Sequence, residues 1–221
     1  MSLETFEGRA ILWDLDGTLV DSEAYHWLSW RDAMRAEGVE LSYDAFLASF
    51  GQRNDRILSG WFGADADPAR LVRIGEDKEA EYRRLAETRG LTPLPGAREW
   101  LVALRRAGWK QAIASSAPRE NVETMLRVLD LTQQVDAIVA AQDVTRGKPD
   151  PQVFLTAATR LGVDPSRSVV VEDAAAGIEG ARRAGMRSIG VNARSPLDAD
   201  VYVKSLSDLP PDAFDRLVPS A

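Results

Sequence analysis

The chain has 221 residues, 45% of them hydrophobic and 28% charged, which is ordinary for a globular protein built as one large domain or as a core with a smaller partner. Its formal net charge of -7 argues against a general attraction to nucleic acid or anionic lipid, so a bound anion would need local positive charge or a metal ion. With no cysteine and a single histidine, disulfides, thiolate chemistry, Cys-type zinc sites and His-rich metal sites are excluded.

In chain order, MSLETFEGRA carries neither the basic nor the apolar segment of a signal peptide, and no uninterrupted apolar run approaches the ~18 residues of a membrane span, so a cytoplasmic protein is expected. Ala10-Ile11-Leu12-Trp13 reads as a buried strand of a parallel sheet, followed at once by Asp14, Asp16 and Gly17-Thr18. Helical signals come next. Ser22 is a candidate N-cap for a helix through Trp27, Leu28 and Met34 that stops at Gly38; Ser42 caps Tyr43 to Ser49; Asn54 or Asp55 opens a third helix; and Asp67-Pro68 starts a long polar helix ending near Gly90. No strand signal appears between Asp21 and Arg89, and Leu91-Thr92-Pro93-Leu94-Pro95-Gly96 reads as a hinge.

Beyond the hinge, helix and strand alternate. Helices are expected over Ala97 to Ala107, Pro118 to Leu129, Pro151 to Leu161 and Ala174 to Ala184, with strands at Lys110 to Ala114, Ala137 to Ala141, Ser168 to Val171, Ser188 to Val191 and Asp200 to Val203. Such alternation implies right-handed crossovers and a mainly parallel sheet covered on both faces, so the fold class is α/β, with residues 1–20 and 91–221 forming the core and 21–90 an all-helical insert.

The strand ends carry the chemistry. In an extended segment residues i and i+2 point the same way, so Asp14 and Asp16 are expected to converge on one ligand beyond the sheet edge, where a hard cation such as Mg²⁺ would relieve their repulsion. Asp16-Gly17 alone also reads as a turn signal, which the other strand ends outweigh. Glu172-Asp173 again place two acids at the end of a buried strand. Ser115-Ser116, at a strand end just before a helix, suit a phosphate oxygen or a helix cap, and Lys148 is held in a proline-stiffened loop.

Together Asp14-Leu15-Asp16-Gly17-Thr18, Ser115, Lys148-Pro149 and Glu172-Asp173 with the glycine-rich helix that follows resemble the complete ordered motif set of the haloacid dehalogenase superfamily. The helical insert resembles the cap of the subgroup that contains β-phosphoglucomutase and many sugar-phosphate phosphatases. The resemblance implies a Rossmann-like core and a phosphatase working through an aspartyl-phosphate, with Asp14 as nucleophile and Asp16 as general acid/base. It implies that Ser115 and Ser116 bind the phosphoryl group, that Lys148 stabilises its charge, and that Asp14, Asp16 (through its backbone carbonyl), Glu172 and Asp173 hold Mg²⁺. The implied partner is a small phosphorylated metabolite, a sugar phosphate, with no nucleic acid and no membrane; oligomeric state is left open, with a monomer as the working expectation.

Within the insert, His26 and Arg53 stand where mutase-like proteins carry comparable residues, and both are candidate substrate-binding groups, His26 also reading as a helix-surface or interface histidine. Trp27, Trp30 and Trp61 at helical spacing read as core or as a sugar-binding face. Pro118 falls near the place of a mutase lysine, with Arg119 as a candidate substitute, which disfavours the alternative of a hexose-phosphate mutase. A dehalogenase would leave Asp16 without a task. A phosphonate hydrolase needs a cap lysine, and Lys78, the one lysine between Asp21 and Arg89, reads as part of a solvated helix face. A non-catalytic module that binds a phosphorylated metabolite is the remaining alternative.

Overall fold

Strand β1 (Ala10–Trp13) is wholly buried and lies at the centre of a six-stranded sheet. A computed structural model, describing residues 8–63 and 65–220, gives the strands β2 (Lys110–Ala114), β3 (Ala137–Val139), β4 (Ser168–Glu172), β5 (Arg187–Val191) and β6 (Val201–Val203) in the order β3-β2-β1-β4-β5-β6, every pair parallel. The register is what positions chemistry. Trp13 lies opposite both Ile113 and Val171, so β1, β2 and β4 run out at one level and Asp14, Ser115 and Glu172-Asp173 emerge along one edge of the sheet. Backbone bonds fix that edge: the Asp14 amide donates to Val171 O (2.9 Å) and the Ser115 amide to Val139 O (3.0 Å).

Alternation along β1 divides the core. Ile11 and Trp13 face a layer formed with α5 (Ala97–Arg106), α6 (Arg119–Val128) and α9 (Ala213–Leu217), whereas Ala10 and Leu12 face α7 (Gln152–Leu161) and α8 (Ala175–Arg183). The buried Trp13 and Gln111 side chains satisfy each other: Trp13 Nε1 donates to Gln111 Oε1 (2.9 Å), and Gln111 Nε2 donates to Leu101 O and Gln134 O.

The insert consists of α1 (Glu23–Ala36), α2 (Tyr43–Ser49), α3 (Asn54–Phe62) and α4 (Pro68–Arg89). Its own apolar cluster joins Trp30, Met34, Phe46, Ile57, Leu58 and Ile74. Ser42 and Asp67 accept from Ala45 N and Ala69 N as N-caps should, but Ser22 does not cap α1, because its hydroxyl is spent on Asp16. Tyr82, on the C-terminal half of α4, packs into the core layer and anchors the insert there. Expected and observed element ends differ by one or two residues; Ala140 and Ala141 fall outside β3, and Glu172 is drawn into the end of β4.

Candidate active site

Three strand ends, the loop that carries Lys148 and one face of the helical insert meet at a cavity of about 230 Å³ lined by Asp14, Asp16, Ser115, Ser116, Lys148, Glu172 and Asp173 from the core. Lys148 Nζ lies 2.6 Å from Asp14 Oδ1 and also bonds Glu172 Oε1, and the Lys148–Pro149 peptide is cis. Asp14, Glu172 and Asp173 each bring a carboxylate oxygen within 4.8 Å of the others. Burial pushes the Asp14 carboxyl up, Lys148 draws it back and Glu172 raises it again, to about 7; burial with Glu172 and Asp14 pushes Asp173 up to about 9. Burial disfavours the Lys148 ammonium, but Asp14 and Glu172 outweigh it and raise its pKa. One lysine therefore faces three carboxylates, and a hard cation bound by oxygen ligands fits the remaining charge.

Glycines make room for these carboxylates. Gly17 has φ +83°, and a Cβ there would stand 2.1 Å from Asp173 Oδ2. A Cβ on Gly177 would stand 2.0 Å from the Glu172 carboxyl group, whose Oε2 accepts from the Ala174 amide (2.9 Å).

Asp16 departs from the expected convergence with Asp14. β1 ends at Trp13, the chain turns through Leu15 to Val20, and the Asp16 carboxylate accepts from Ser22 Oγ and from His26 Nε2 (3.1 Å). Burial alone would raise the pKa of Asp16; His26 and Ser22 outweigh it and hold the group below the ordinary range. His26 is oriented in turn by Lys78, whose Nζ is 2.8 Å from Nδ1. An ammonium can only donate, so Nδ1 is the acceptor and Nε2 carries the proton given to Asp16. Lys78 bonds Glu79 Oε1 (2.9 Å), and Glu79 also accepts from Asn54 Nδ2 (2.7 Å) and Asn121 Nδ2.

This arrangement corrects the reading of Lys78 as solvated, since the residue is 1% exposed. It lies one helical turn from Ile74 and from Tyr82, both buried, and that spacing was the signal available in the sequence. His26, likewise buried, stacks on Tyr82 with ring centroids 4.1 Å apart. Of the three insert tryptophans Trp30 lines the cavity, beside Phe46, Phe50 and Ile57. Trp61 packs edge-on against Trp30, and Trp27 packs on Tyr43 and Phe46.

The matches to known proteins agree with this geometry. A family model described as haloacid dehalogenase-like hydrolase matches residues 11–191. The chain belongs to the haloacid dehalogenase-like hydrolases. It is 34% identical over 211 residues to validoxylamine A 7'-phosphate phosphatase of Streptomyces hygroscopicus subsp. limoneus, covering 91% of this chain and 95% of the relative, and 33% identical over 212 residues to β-phosphoglucomutase of Bacillus subtilis, covering 91% of each. The structure of β-phosphoglucomutase from Clostridium difficile superposes with a TM-score of 0.84 at 27% identity, over 96% of this chain and 97% of that one. In this haloacid dehalogenase-like hydrolase Arg53 lines the cavity with its guanidinium bound to the core: Nη1 donates to Ala141 O (2.7 Å) and Val144 O (3.2 Å), and Nε to Asp55 (3.1 Å). Arg119 is bound to Asp143 (2.6 Å) and Ile138 O and does not line the cavity, so it does not take the place of a mutase lysine. Sequence reasoning missed the site roles of Ser22, Asn54, Lys78, Glu79 and Asn121, which depend on side-chain contacts made only once the helices pack.

Proposed function

We propose that the chain is an Mg²⁺-dependent phosphomonoester hydrolase acting on a small phosphorylated metabolite, a sugar phosphate, through an aspartyl-phosphate. The observation that carries this reading is the meeting, in one cavity, of the Asp14–Lys148 pair, the carboxylates of Glu172 and Asp173, and a second, separately held carboxylate, Asp16. The relatives named as a phosphatase and a phosphoglucomutase support the substrate class.

In this reading an oxygen of Asp14 attacks phosphorus in line with the leaving oxygen, which takes a proton from Asp16. A water then attacks the phosphorus of the aspartyl-phosphate, gives its proton to Asp16, and releases inorganic phosphate and Asp14. Asp16 must be protonated in the first half and ionised in the second. The turn at Gly17 separates it from Asp14, and its contacts to His26 and Ser22 favour the ionised form that takes the proton of water in the second half. Lys148 balances charge on Asp14 and on the transferring oxygens, while the Ser115 and Ser116 segment before α6 offers donors to them. Asp14, Glu172, Asp173 and the Asp16 carbonyl would hold Mg²⁺, which supplies further neutralisation of phosphoryl charge. Trp30, Phe46, Phe50 and Ile57 exclude water on the insert side.

The mutase reading is disfavoured because this chain has Pro118 where a mutase carries a lysine, and Arg119 is engaged elsewhere. A phosphonate hydrolase using a Schiff-base lysine is disfavoured because Lys78 is ion-paired with Glu79. The test is phosphate release from a panel of sugar and small-acid phosphates, with Mg²⁺ or EDTA, for wild type and Asp14→Asn. Release that requires both Mg²⁺ and Asp14 is expected. Bisphosphate-dependent isomerisation without net release would indicate the mutase, and no turnover of either kind the non-catalytic module.

A further inference from the structure

Three cations line the cavity, and each is already matched. Lys148 faces Asp14 and Glu172, Lys78 faces Glu79, and Arg53 is held by two backbone carbonyls and Asp55. Five acids line it, so the deficit of positive charge lies at the Asp14 end, where a cation fits, and the insert end is balanced.

Glu79 sits at the outer limit of this space. Asn54, Glu79 and Pro118 line the cavity and also line a separate groove on the outside of the cleft between insert and core, so these three form the partition between the two. None of the reacting carboxylates borders that groove. The Glu79 carboxylate is built in from both sides: Asn54 of α3 and Lys78 of α4 donate to Oε1, and Asn121 of α6 donates to Oε2. Arg83 Nη1, bonded to Asn121 Oδ1 (2.9 Å), turns that amide so that its nitrogen faces Glu79. Burial would favour the neutral acid, but the Lys78 ammonium, with the hydrogen bonds from Lys78 and Asn54, outweighs it and holds Glu79 below its ordinary range.

We infer that Glu79 is a specificity-determining residue: it neutralises Lys78 and closes the far end of the cavity with a carboxylate, so that the enzyme accepts a body bearing one phosphate and otherwise neutral hydroxyl groups, and rejects a bisphosphate. The inference rests on the phosphatase reading above. With the first phosphate at Asp14, a second phosphate at the other end of a sugar meets the Glu79 carboxylate and a lysine already matched by it, with no free cation to receive it. Like charges set face to face are an effective means of refusing a ligand. A hydroxyl meets the opposite situation. Three donors occupy Glu79, one of them on Oε2, which leaves an acceptor position on that oxygen for a hydroxyl, while Trp30 and Phe50 offer apolar faces to ring carbons.

The experiment measures kcat and KM at saturating Mg²⁺ for a hexose monophosphate and for the hexose bisphosphate that adds a phosphate at the far end. Wild type is expected to prefer the monophosphate by about tenfold or more in kcat/KM, and Glu79→Gln to lose most of that preference through a lower KM for the bisphosphate, about the discrimination one fixed charge supplies. Glu79→Ser, which leaves room for water between Asn54 and Asn121, is the second variant if Glu79→Gln does not fold, with circular dichroism as the check. Equal turnover of both substrates by wild type, or a preference unchanged in a folded Glu79 variant, overturns the inference. Failure of wild type to release phosphate from any monophosphate overturns instead the phosphatase reading on which it rests.

Discussion

The two walls of the cavity are built on different principles. On the core side every charged group follows a strand end or a short loop: Asp14 follows Trp13, Glu172 ends β4, Asp173 follows it, and parallel register brings them level. On the insert side Lys78 and Glu79 project from the middle of α4 and His26 from the first turn of α1, buried among aromatic rings, with Lys78 Nζ 5.1 Å from the Trp30 ring centre and 5.4 Å from that of Tyr82. The core wall places Asp14, Glu172 and Asp173 by strand ends in register, and only Asp16 is held from the insert, through Ser22 and His26. The insert wall holds its charges by one another, so its order depends on the whole chain from Asp16 to Asn121 remaining paired.

The largest test of this contrast is on the core side. Asp14→Asn keeps the shape and the hydrogen-bonding reach of the side chain but removes the proposed nucleophile, and kcat for phosphate release should fall at least about 10³-fold with little change in thermal stability. A single-turnover assay that still traps a phosphorylated protein in this variant would remove Asp14 from its role.

The matching change on the insert side should cost stability rather than chemistry alone. Lys78→Met leaves Glu79 buried and without its cation, and breaking a buried pair by removing one partner costs about 3–5 kcal/mol. Lys78→Met combined with Glu79→Gln removes both charges and should recover most of the loss. Urea midpoints for the two single variants and the double variant measure the coupling, and additive losses would contradict the paired wall.

Legibility in the sequence follows the same division. The strand AILW, the carboxylates one and three residues beyond it, and the second acidic pair after VVV were readable because a parallel strand ends where its apolar run ends. The direction of Asp16 was not, since the turn that points it toward Ser22 and His26 depends on the Gly17 conformation and not on strand alternation. Lys78 and Glu79 were hidden in a run, IleGlyGluAspLysGluAlaGluTyr, whose charge density reads as solvated surface. Only the Ile74, Lys78 and Tyr82 spacing marks the buried face, and its partner at Asn121 is 42 residues away in sequence.

Gly17 offers a sharper probe of the core wall because it touches geometry without removing any charge. A methyl group at Gly17 would overlap Asp173 Oδ2 and would require a φ of +83° of alanine. Gly17→Ala should displace the Asp173 carboxylate and weaken Mg²⁺ binding by about 10–100-fold, the range for disturbing the support of a ligand. Calorimetric titration with Mg²⁺ reads this directly, and unchanged affinity would mean that Asp173 is not a ligand.

The core charges also set a pH dependence that the balanced insert wall does not share. Asp14 at about 7 and Asp173 at about 9 lie above the ordinary carboxylate range, so between about pH 4 and 9 these two groups bind more protons in the folded chain without metal than in the unfolded chain. A raised acid pKa costs the folded state stability as pH rises through that window, and a cation on the same oxygens relieves the cost. The rise in melting temperature produced by Mg²⁺ should therefore be larger at pH 8 than at pH 6. A rise independent of pH would place the ion elsewhere.

Arg53 joins the two walls and should give the smallest effect. Its guanidinium is spent on Ala141 O and Val144 O of the core, and its Cδ lies 3.1 Å from where a Cβ on Gly147 would stand, next to Lys148. As a clasp, Arg53 stabilises the closed arrangement by two hydrogen bonds from a charged donor, each worth about 1.5–3 kcal/mol at most and less here because the guanidinium regains water when released. Arg53→Ala should then raise KM by only a few-fold for every substrate alike, and speed amide hydrogen exchange in α3 and in the loop from Ala141 to Gly147. If Arg53 instead receives a substrate oxyanion, the loss should be selective for substrates carrying that anion and the loop should exchange as in wild type. Lysine in its place separates the two further, since one ammonium can hold an anion but does not reproduce a planar fork seated on two carbonyls.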